Sequence, residues 1–536
     1  MSLSPSPIAA AALSEARGHA QAGRLAEALE AARQAAQADA GLGEAYAIWG
    51  VAAAELGRFN DAVEPLMAAA ERVPPGSIGW ANITSQLARA LSNTGFWAEA
   101  VRRAEAVEAI NPPDPEIRGR IGAAFARMNL PQRGLPHLEW ARSRQPERPQ
   151  LLSELGLVYM ADGRLDDAEQ AFEAAIALSP QMVQPHAALA QLRRWRPETA
   201  HVERLIAVRD DPRLEPLERG SLGFALFKEL DDLGATEDAW RVLAEANEAC
   251  WTDATVDWSA AGDAELMQSL MELFPVERLQ AAPPPTDRAA PTPIFIVGLP
   301  RSGTTLLERM LAGHSEVQAL GELPTFPIVF RTASTHADRR SLTPEVIRAA
   351  ASGDWRAVGE LYLQEIAPLG LEAPYVIDKL PANSLLVGAI RLALPRARII
   401  HVRRSPMDVL FGAYKVRFAG WYGWAYRQTE MAAHYVNHQR LMDHWRAGLG
   451  ASLIEVDYEA LVQAPEPEVR RMLAALGLAF EAACLEPHKT VGPVRTASMV
   501  QVREPISTAR IGGWRRYAGQ LEPLRTALQA QGIDAD

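Results

Sequence analysis

Residues 294–314 read IFIVGLPRSGTTLLERMLAGH, and this stretch decides the fold of the C-terminal half of the chain. Residues 294–297 are an apolar run with the length and composition of a buried parallel strand. Gly298 and Gly303 bracket a tight loop, and residues 306–312 carry helical patterning. A strand, a glycine-rich loop and a helix in that order aim backbone N–H groups and a helix dipole at one point. That arrangement favours an anion.

Directly upstream, residues 282–293 read APPPTDRAAPTP, a Pro/Ala connector that marks a domain boundary. The part before it has a different character. The segments GRLAEAL, GRFNDAV, GFWAEAV, NLPQRGL and GRLDDAE begin at Gly23, Gly57, Gly95, Asn129 and Gly163, spaced 34, 38, 34 and 34 residues apart. Pro74, Pro112, Pro146 and Pro180 each lie 17 residues after one of the last four starts. Small residues recur at one helix crossing (Gly50, Gly122, Gly156) and large ones at the next sites (Leu66, Phe125, Tyr159, Phe172). Gly57 and Gly163 are expected to end the first helix of a pair in a left-handed turn, and proline to close the second. The four extra residues after Gly57 are expected to lengthen the loop near residues 75–80.

A 34-residue period with a terminal proline resembles the tetratricopeptide repeat (TPR), in which helix pairs stack because none buries its apolar face alone. The expected architecture is an all-α TPR superhelix followed by an α/β P-loop-like domain with a central parallel sheet. The divisions are 9–182 for the repeats, 183–281 for degenerate repeats or capping helices, 282–293 for the connector and 294–536 for the second domain. Such an array implies a groove for a peptide or protein partner, or a scaffold alone, and both readings stay open.

Composition bounds the function. The chain of 536 residues is 48% hydrophobic and 22% charged, with a net charge of −12. Residues 1–280 hold 26 Lys/Arg against 41 Asp/Glu, and residues 281–536 hold 28 against 25. The acid excess lies wholly in the repeat half, which disfavours a general nucleic-acid binder and makes a basic peptide the natural guest. Two cysteines, Cys250 and Cys484, allow neither a disulfide scaffold nor a cysteine-based zinc site. No basic leader and no long apolar run stands out, so the expectation is a cytoplasmic protein without a membrane span.

Thr304 occupies the position at which nucleotide triphosphatase loops carry lysine, and Arg301 supplies the cation instead. This Pro-Arg-Ser-Gly-Thr-Thr loop resembles that of the sulfotransferases that use 3′-phosphoadenosine-5′-phosphosulfate (PAPS). The resemblance covers about residues 293–520. It implies that Arg301, Ser302, Gly303, Thr304 and Thr305 hold the donor's phosphate. The family places an Arg after a later strand, and a Ser eight residues on, around the 3′-phosphate. Here residues 397–402, ARIIHV, precede Arg403-Arg404-Ser405-Pro406-Met407-Asp408. Alignment on Pro406 and Asp408 makes Arg404 the match and puts Gly412 where the Ser belongs, a departure. Arg403 is the alternative anchor, and could equally pair with a surface carboxylate.

Within the family the chain most resembles the tyrosylprotein sulfotransferases. An ungapped run to Glu322 makes that residue the implied general base, while His314 is read as structural. In YVIDKLP, Lys379 matches the lysine on the bridging oxygen of the leaving group. In LIEVDYEALV, Tyr458 matches a residue on the adenine side, with a half-buried sheet aromatic as the plain alternative. Ser498 matches a serine that donates to the sulfuryl group or leaving phosphate. Arg510, Arg515 and Arg516 are expected to close over the nucleotide, and Gly513 replaces a residue that is often basic. PAPS is thus the implied co-substrate, with adenosine 3′,5′-bisphosphate as product. No clustered metal ligands appear and no metal is expected. The implied acceptor is a tyrosine on a peptide or protein bound through the TPR groove. A sugar or small-molecule hydroxyl, an inactive transferase domain serving interaction only, and a homodimer all remain open.

Overall fold

A computed structural model describes residues 6–253, 258–282, 291–336, 341–418, 422–490, 492 and 501–535. The chain divides into two compact units, residues 1–158 with 364–370, and residues 159–363 with 371–536.

The repeat region runs α1 (Pro7–Gln21), α2 (Leu25–Ala38), α3 (Gly43–Glu55), α4 (Phe59–Ala70), α5 (Ile78–Thr94), α6 (Trp97–Ile110), α7 (Pro115–Arg127), α8 (Pro131–Arg144), α9 (Pro149–Asp162) and α10 (Leu165–Leu178). The sequence pattern explains the turns. Gly23, Gly57, Gly95 and Gly163 take φ of +69°, +73°, +84° and +90°, and Asn129 takes +59° at the one repeat without glycine. Asparagine is among the few other residues that enter this region cheaply. The pairs close through small residues. A Cβ on Gly50 would lie 2.6 Å from Leu66 Cγ, and one on Gly134 would lie 2.5 Å from the carbonyl oxygen of Gly122. The extra residues of the third repeat are shared between two places. The connection 71–77 is lengthened, and α5 has 17 residues where α3 and α7 have 13.

The second unit continues with the helices Val183–Ala190, Val202–Arg209, Pro216–Leu233, Thr236–Trp251, Ala260–Leu273 and Val276–Gln280. A five-stranded sheet follows: β1 (Thr292–Gly298), β2 (Val317–Ala319), β3 (Tyr375–Asp378), β4 (Arg398–Arg403) and β5 (Leu453–Asp457). The order is β2-β3-β1-β4-β5, and every pair is parallel. All seven residues of β1 are buried, as a parallel strand covered on both faces requires. Ile294, Ile296, Val402 and Val456 pack against the helix Thr304–Leu311 and against Leu473 and Leu476. A second core joins Phe224, Phe227 and Leu243 of the preceding helices to Phe411, Trp424, Trp514 and Tyr517. Those helices therefore share an apolar core with the sheet domain rather than acting as a spacer. Among the described residues no helix is long and apolar enough to cross a membrane.

The glycine geometry is testable. A Cβ on Gly122 would meet the Gly134 carbonyl oxygen and Leu138 Cγ, each at 2.9 Å, whereas one on Gly18 would meet nothing within 4 Å. Gly122→Val should destabilise by about 2 kcal/mol through overpacking. Gly18→Ala should be neutral or stabilise by up to about 1 kcal/mol. Thermal melting followed by circular dichroism reads both. Equal midpoints for the two variants would contradict the packing.

Candidate functional site

A parallel sheet brings all its carboxyl ends to one edge, and here each strand delivers one candidate residue there. Arg301 follows β1, Glu322 follows β2, Lys379 follows β3, Arg404 follows β4 and Tyr458 follows β5. In the order of the sheet they run Glu322, Lys379, Arg301, Arg404, Tyr458.

The loop after β1 is shaped by close approach. Gly298 takes φ of +150°, and a Cβ there would lie 2.6 Å from the carbonyl oxygen of Val402 on β4. Arg301 takes φ of +70°, a left-handed conformation that costs a side-chain-bearing residue about 1–2 kcal/mol. Gly303, at φ of +109°, opens the helix Thr304–Leu311, at whose start no side chain among the described residues forms a cap. A Cβ on Gly303 would lie 2.4 Å from Tyr458 Cδ2, so the tyrosine ring packs directly on the loop. Tyr458 is thus buried beneath the loop, between Gly303 and Arg404. Thr304 and Thr305 are buried at the helix start, and Ser302 Oγ is buried without a hydrogen-bond partner among the described residues.

Of the two arginines after β4, Arg404 enters the site. Its Nη1 donates to the carbonyl oxygen of Arg301 at 3.1 Å and its Nη2 to that of Arg510 at 2.7 Å. Its guanidinium stands 4.3 Å from the centre of the Tyr458 ring, and its Nε is buried without a partner among the described residues. Arg403 instead forms two bonds with Asp457 at the end of β5, at 2.8 and 2.9 Å. Gly412 faces the loop: a Cβ there would lie 3.0 Å from Arg301 Cβ. The space a serine side chain would need is taken by Arg301.

Arg301, Arg404 and Arg510 crowd one another. Burial, then Arg510, then Arg404 pull the Arg301 guanidinium down to about 10. Burial also lowers Arg510. A fourth cation, Lys415, escaped the sequence reading. It lies one turn beyond Gly412, half-buried, with its ammonium 4.5 Å from the centre of the Phe411 ring. Burial brings it down to about 8 against the pull of Asp231, and Arg301, Arg404 and Arg510 each add a smaller repulsion. Its signal was the i+3 spacing from Gly412, which puts both on one helix face.

The late segment is arranged differently from expectation in part. Asp408, used in the sequence only to align Arg404, is a buried carboxylate that accepts from the backbone N–H of Gly512 at 2.6 Å and of Trp514 at 3.3 Å, which fixes the turn around Gly513. Arg515 is exposed, 5.4 Å from the centre of the Trp514 ring. Arg516 donates to Asp231 at 2.9 Å and to Thr236 at 3.2 Å, away from the loop. Ser498 lies outside the described residues.

At the other side of β1, Lys379 Nζ donates to Glu322 Oε1 at 2.6 Å. Lys379 has no exposed surface, whereas the Glu322 side chain keeps 37% of its own. The backbone N–H of Lys379 donates to Gly321 at 2.9 Å, which fastens the Glu322 turn to β3. Beneath them Tyr362 donates to Asp378 at 3.0 Å, and burial pushes the Asp378 carboxyl well above its ordinary range. His314 is buried away from this pair, with Nε2 donating to Ala479 and Nδ1 accepting from the backbone of Glu316. The arrangement thus offers a cation cluster for a polyanion on one side and a carboxylate–ammonium pair on the other. Among the described residues no group of three or more His, Cys, Asp or Glu is placed to hold a metal ion.

The cation cluster makes a pH prediction. Lys415 is charged below about 8 and neutral above it. Affinity for pyrophosphate should therefore fall as pH rises from 7 to 9, beyond what the anion's own titration explains. Lys415→Met should remove that extra slope. Calorimetric titration across the range checks it, and an unchanged slope in the variant would refute the assignment.

Residues 293–482 match the sulfotransferase family, and residues 120–183 match the tetratricopeptide repeat. The chain is 32% identical over 403 residues to an uncharacterized protein of Aquifex aeolicus, a match that covers 73% of this chain and 52% of that one. It is 25% identical over 231 residues to protein-tyrosine sulfotransferase A of Caenorhabditis elegans, covering 41% of this chain and 60% of that one. It is 26% identical over 239 residues to the protein-tyrosine sulfotransferase of Drosophila melanogaster, covering 42% and 47%. The chain thus spans about half the length of these relatives. With the strand-end site and the helical repeats in place, the chain holds a stretch that matches the tetratricopeptide repeat, followed by a five-stranded parallel-sheet region that matches the sulfotransferase family.

Proposed function

We propose that the protein transfers a sulfuryl group from PAPS to the hydroxyl of a tyrosine on a peptide or protein. The observation that carries the reading is the Lys379–Glu322 pair, 2.6 Å apart, beside a phosphate loop with Arg301 and Arg404 on its far side. Bound there, PAPS would supply an activated sulfuryl group and a leaving phosphate. The amides from Ser302 to Thr305 would hold the phosphosulfate end, with Arg301 over it. Arg404, Lys415 and Arg510 would take the 3′-phosphate, which gives this chain a cation where Gly412 offers no hydroxyl. The fit is supported by two buried donors, Ser302 Oγ and Arg404 Nε, that lack hydrogen-bond partners among the described residues. Tyr458 would support the loop and border the adenine side. Ser498 keeps the role the family resemblance gives it, Arg515 would close over the nucleotide, and the backbone of Gly412 borders the site.

Glu322 would accept the proton of the acceptor hydroxyl, in keeping with its exposure and its reach from the end of β2. Lys379 would donate a hydrogen bond to the oxygen that takes up charge as the sulfuryl group leaves. The tyrosine acceptor is supported by the names of the metazoan relatives and by the repeats, which suit a polypeptide partner. The domain division at residues 282–293 and a cytoplasmic setting belong to the same reading.

Two measurements decide it. Full-length protein should bind adenosine 3′,5′-bisphosphate in the presence of a chelator. It should also move label from PAPS to tyrosine in a peptide. Glu322→Ala should cut transfer by on the order of a hundred-fold, the contribution of a positioned general base, and leave nucleotide affinity within about two-fold. Metal-dependent ATP turnover without binding of the bisphosphate would overturn the proposal. Label found on a sugar or small molecule would overturn its acceptor.

A further inference from the structure

We propose that Glu308 is a positioning residue for this transfer, holding the ammonium of Lys379 and the turn that carries Glu322 through one buried carboxylate. The inference rests on the functional reading above. Glu308 lies on the helix Thr304–Leu311, four residues after Thr304 and one turn below the loop. Its neighbours are Leu307, Met310 and Leu311, all buried, and its own side chain is 6% exposed. An amphipathic helix would ordinarily place an apolar residue at such a position, because an ionised carboxylate there loses its hydration.

Two contacts compensate. Glu308 Oε2 lies 3.7 Å from Lys379 Nζ, and the backbone N–H of Gly321 adds a smaller pull on the carboxylate. Gly321 is the residue before Glu322, and its carbonyl oxygen in turn accepts from the backbone N–H of Lys379. One side chain therefore touches the carrier of each chemical group and sits on the helix that presents the loop amides. Burial raises the Glu308 carboxyl, and Lys379 draws it back down against a smaller push from Glu322.

The second carboxylate matters during transfer. The acceptor oxygen forms its bond to sulfur and gives its proton to Glu322. The bond from sulfur to the bridging oxygen breaks, and its electron pair stays on the leaving phosphate. Glu322 becomes neutral at that moment, and Lys379 would lose its only counter-charge if it had no other partner. Glu308 exchanges no proton. It leaves Lys379 a carboxylate partner while the ammonium turns toward the leaving oxygen. A purely structural role would need only a polar group beside Gly321, which glutamine also provides at the same volume.

The test uses the full chain, PAPS and a tyrosine peptide. Glu308→Gln should lower kcat on the order of ten- to a hundred-fold, the penalty of a misplaced catalytic group. The KM for PAPS and the affinity for adenosine 3′,5′-bisphosphate should stay within about two-fold, which also certifies the fold. Glu308→Asp, which keeps the charge on a shorter arm, should retain more activity than Glu308→Gln. Equal or reversed rates for the two variants, or a loss in kcat matched by a loss in nucleotide affinity, would overturn the inference. If the wild-type protein binds the bisphosphate but transfers to no acceptor, the functional reading is what has failed. The placement of Lys379 is then read from acetic anhydride labelling by mass spectrometry. Several-fold faster labelling of Lys379 in Glu308→Gln upholds the inference, and unchanged protection overturns it.

Discussion

The site depends on one constraint: five parallel strands, buried on both faces, can release polar side chains only where they end. Register fixes which residues those are. Phe295 lies opposite Asp378, and Gly298 opposite Val402, so Lys379 and Arg404 leave the sheet on the two sides of the same loop. A slip of one residue would turn each side chain to the other face of the sheet. The bare Cα of Gly298 lets β1 run close under the Val402 carbonyl before the chain turns through Arg301. Fold and chemistry are therefore set by the same hydrogen-bond ladder.

Like charges gathered at one edge oppose folding, and the chain offsets them locally. Asp408 lies 3.8 Å from Arg404 and also ties down the backbone around Gly513. Asp457 holds Arg403 outside the cluster. Tyr458 places an aromatic face under Arg404, which spreads the charge without neutralising it. The residual excess of positive charge is what a ligand with several phosphates would complete. On the far side the sign reverses, with Lys379 between Glu308 and Glu322. The loop helix joins the two halves, since it presents amides at its start and Glu308 one turn later.

Much of this was legible in the sequence, for identifiable reasons. The apolar run at residues 294–297 and the glycine spacing after it depend on local rules alone, as do the left-handed turns at Gly23, Gly57, Gly95 and Gly163. The strand ends at Lys379 and Arg404 followed from patterning plus resemblance. What stayed hidden depends on three-dimensional neighbours. Glu308, within LLERML, reads as a solvated helix position because nothing local announces Lys379, 71 residues later. Lys415 reads as a surface lysine until Arg301, Arg404 and Arg510 are seen around it. Alignment on Pro406 and Asp408 pointed to Arg404, but the reason Arg403 turns aside, Asp457 lying beside the end of β4, is not written in the local sequence. The extra turn in α5 was hidden for a similar reason: a 38-residue spacing says how many residues were added, not which element took them.

The central claim is that one sheet edge holds both the donor's phosphates and the acceptor's proton. A crystal structure with adenosine 3′,5′-bisphosphate and a tyrosine peptide tests it most directly. The account predicts the 5′-phosphate on the amides from Ser302 to Thr305, the 3′-phosphate among Arg404, Lys415 and Arg510, and the tyrosine hydroxyl about 3 Å from Glu322. A nucleotide seated away from the loop, or a peptide hydroxyl out of reach of Glu322, would contradict it.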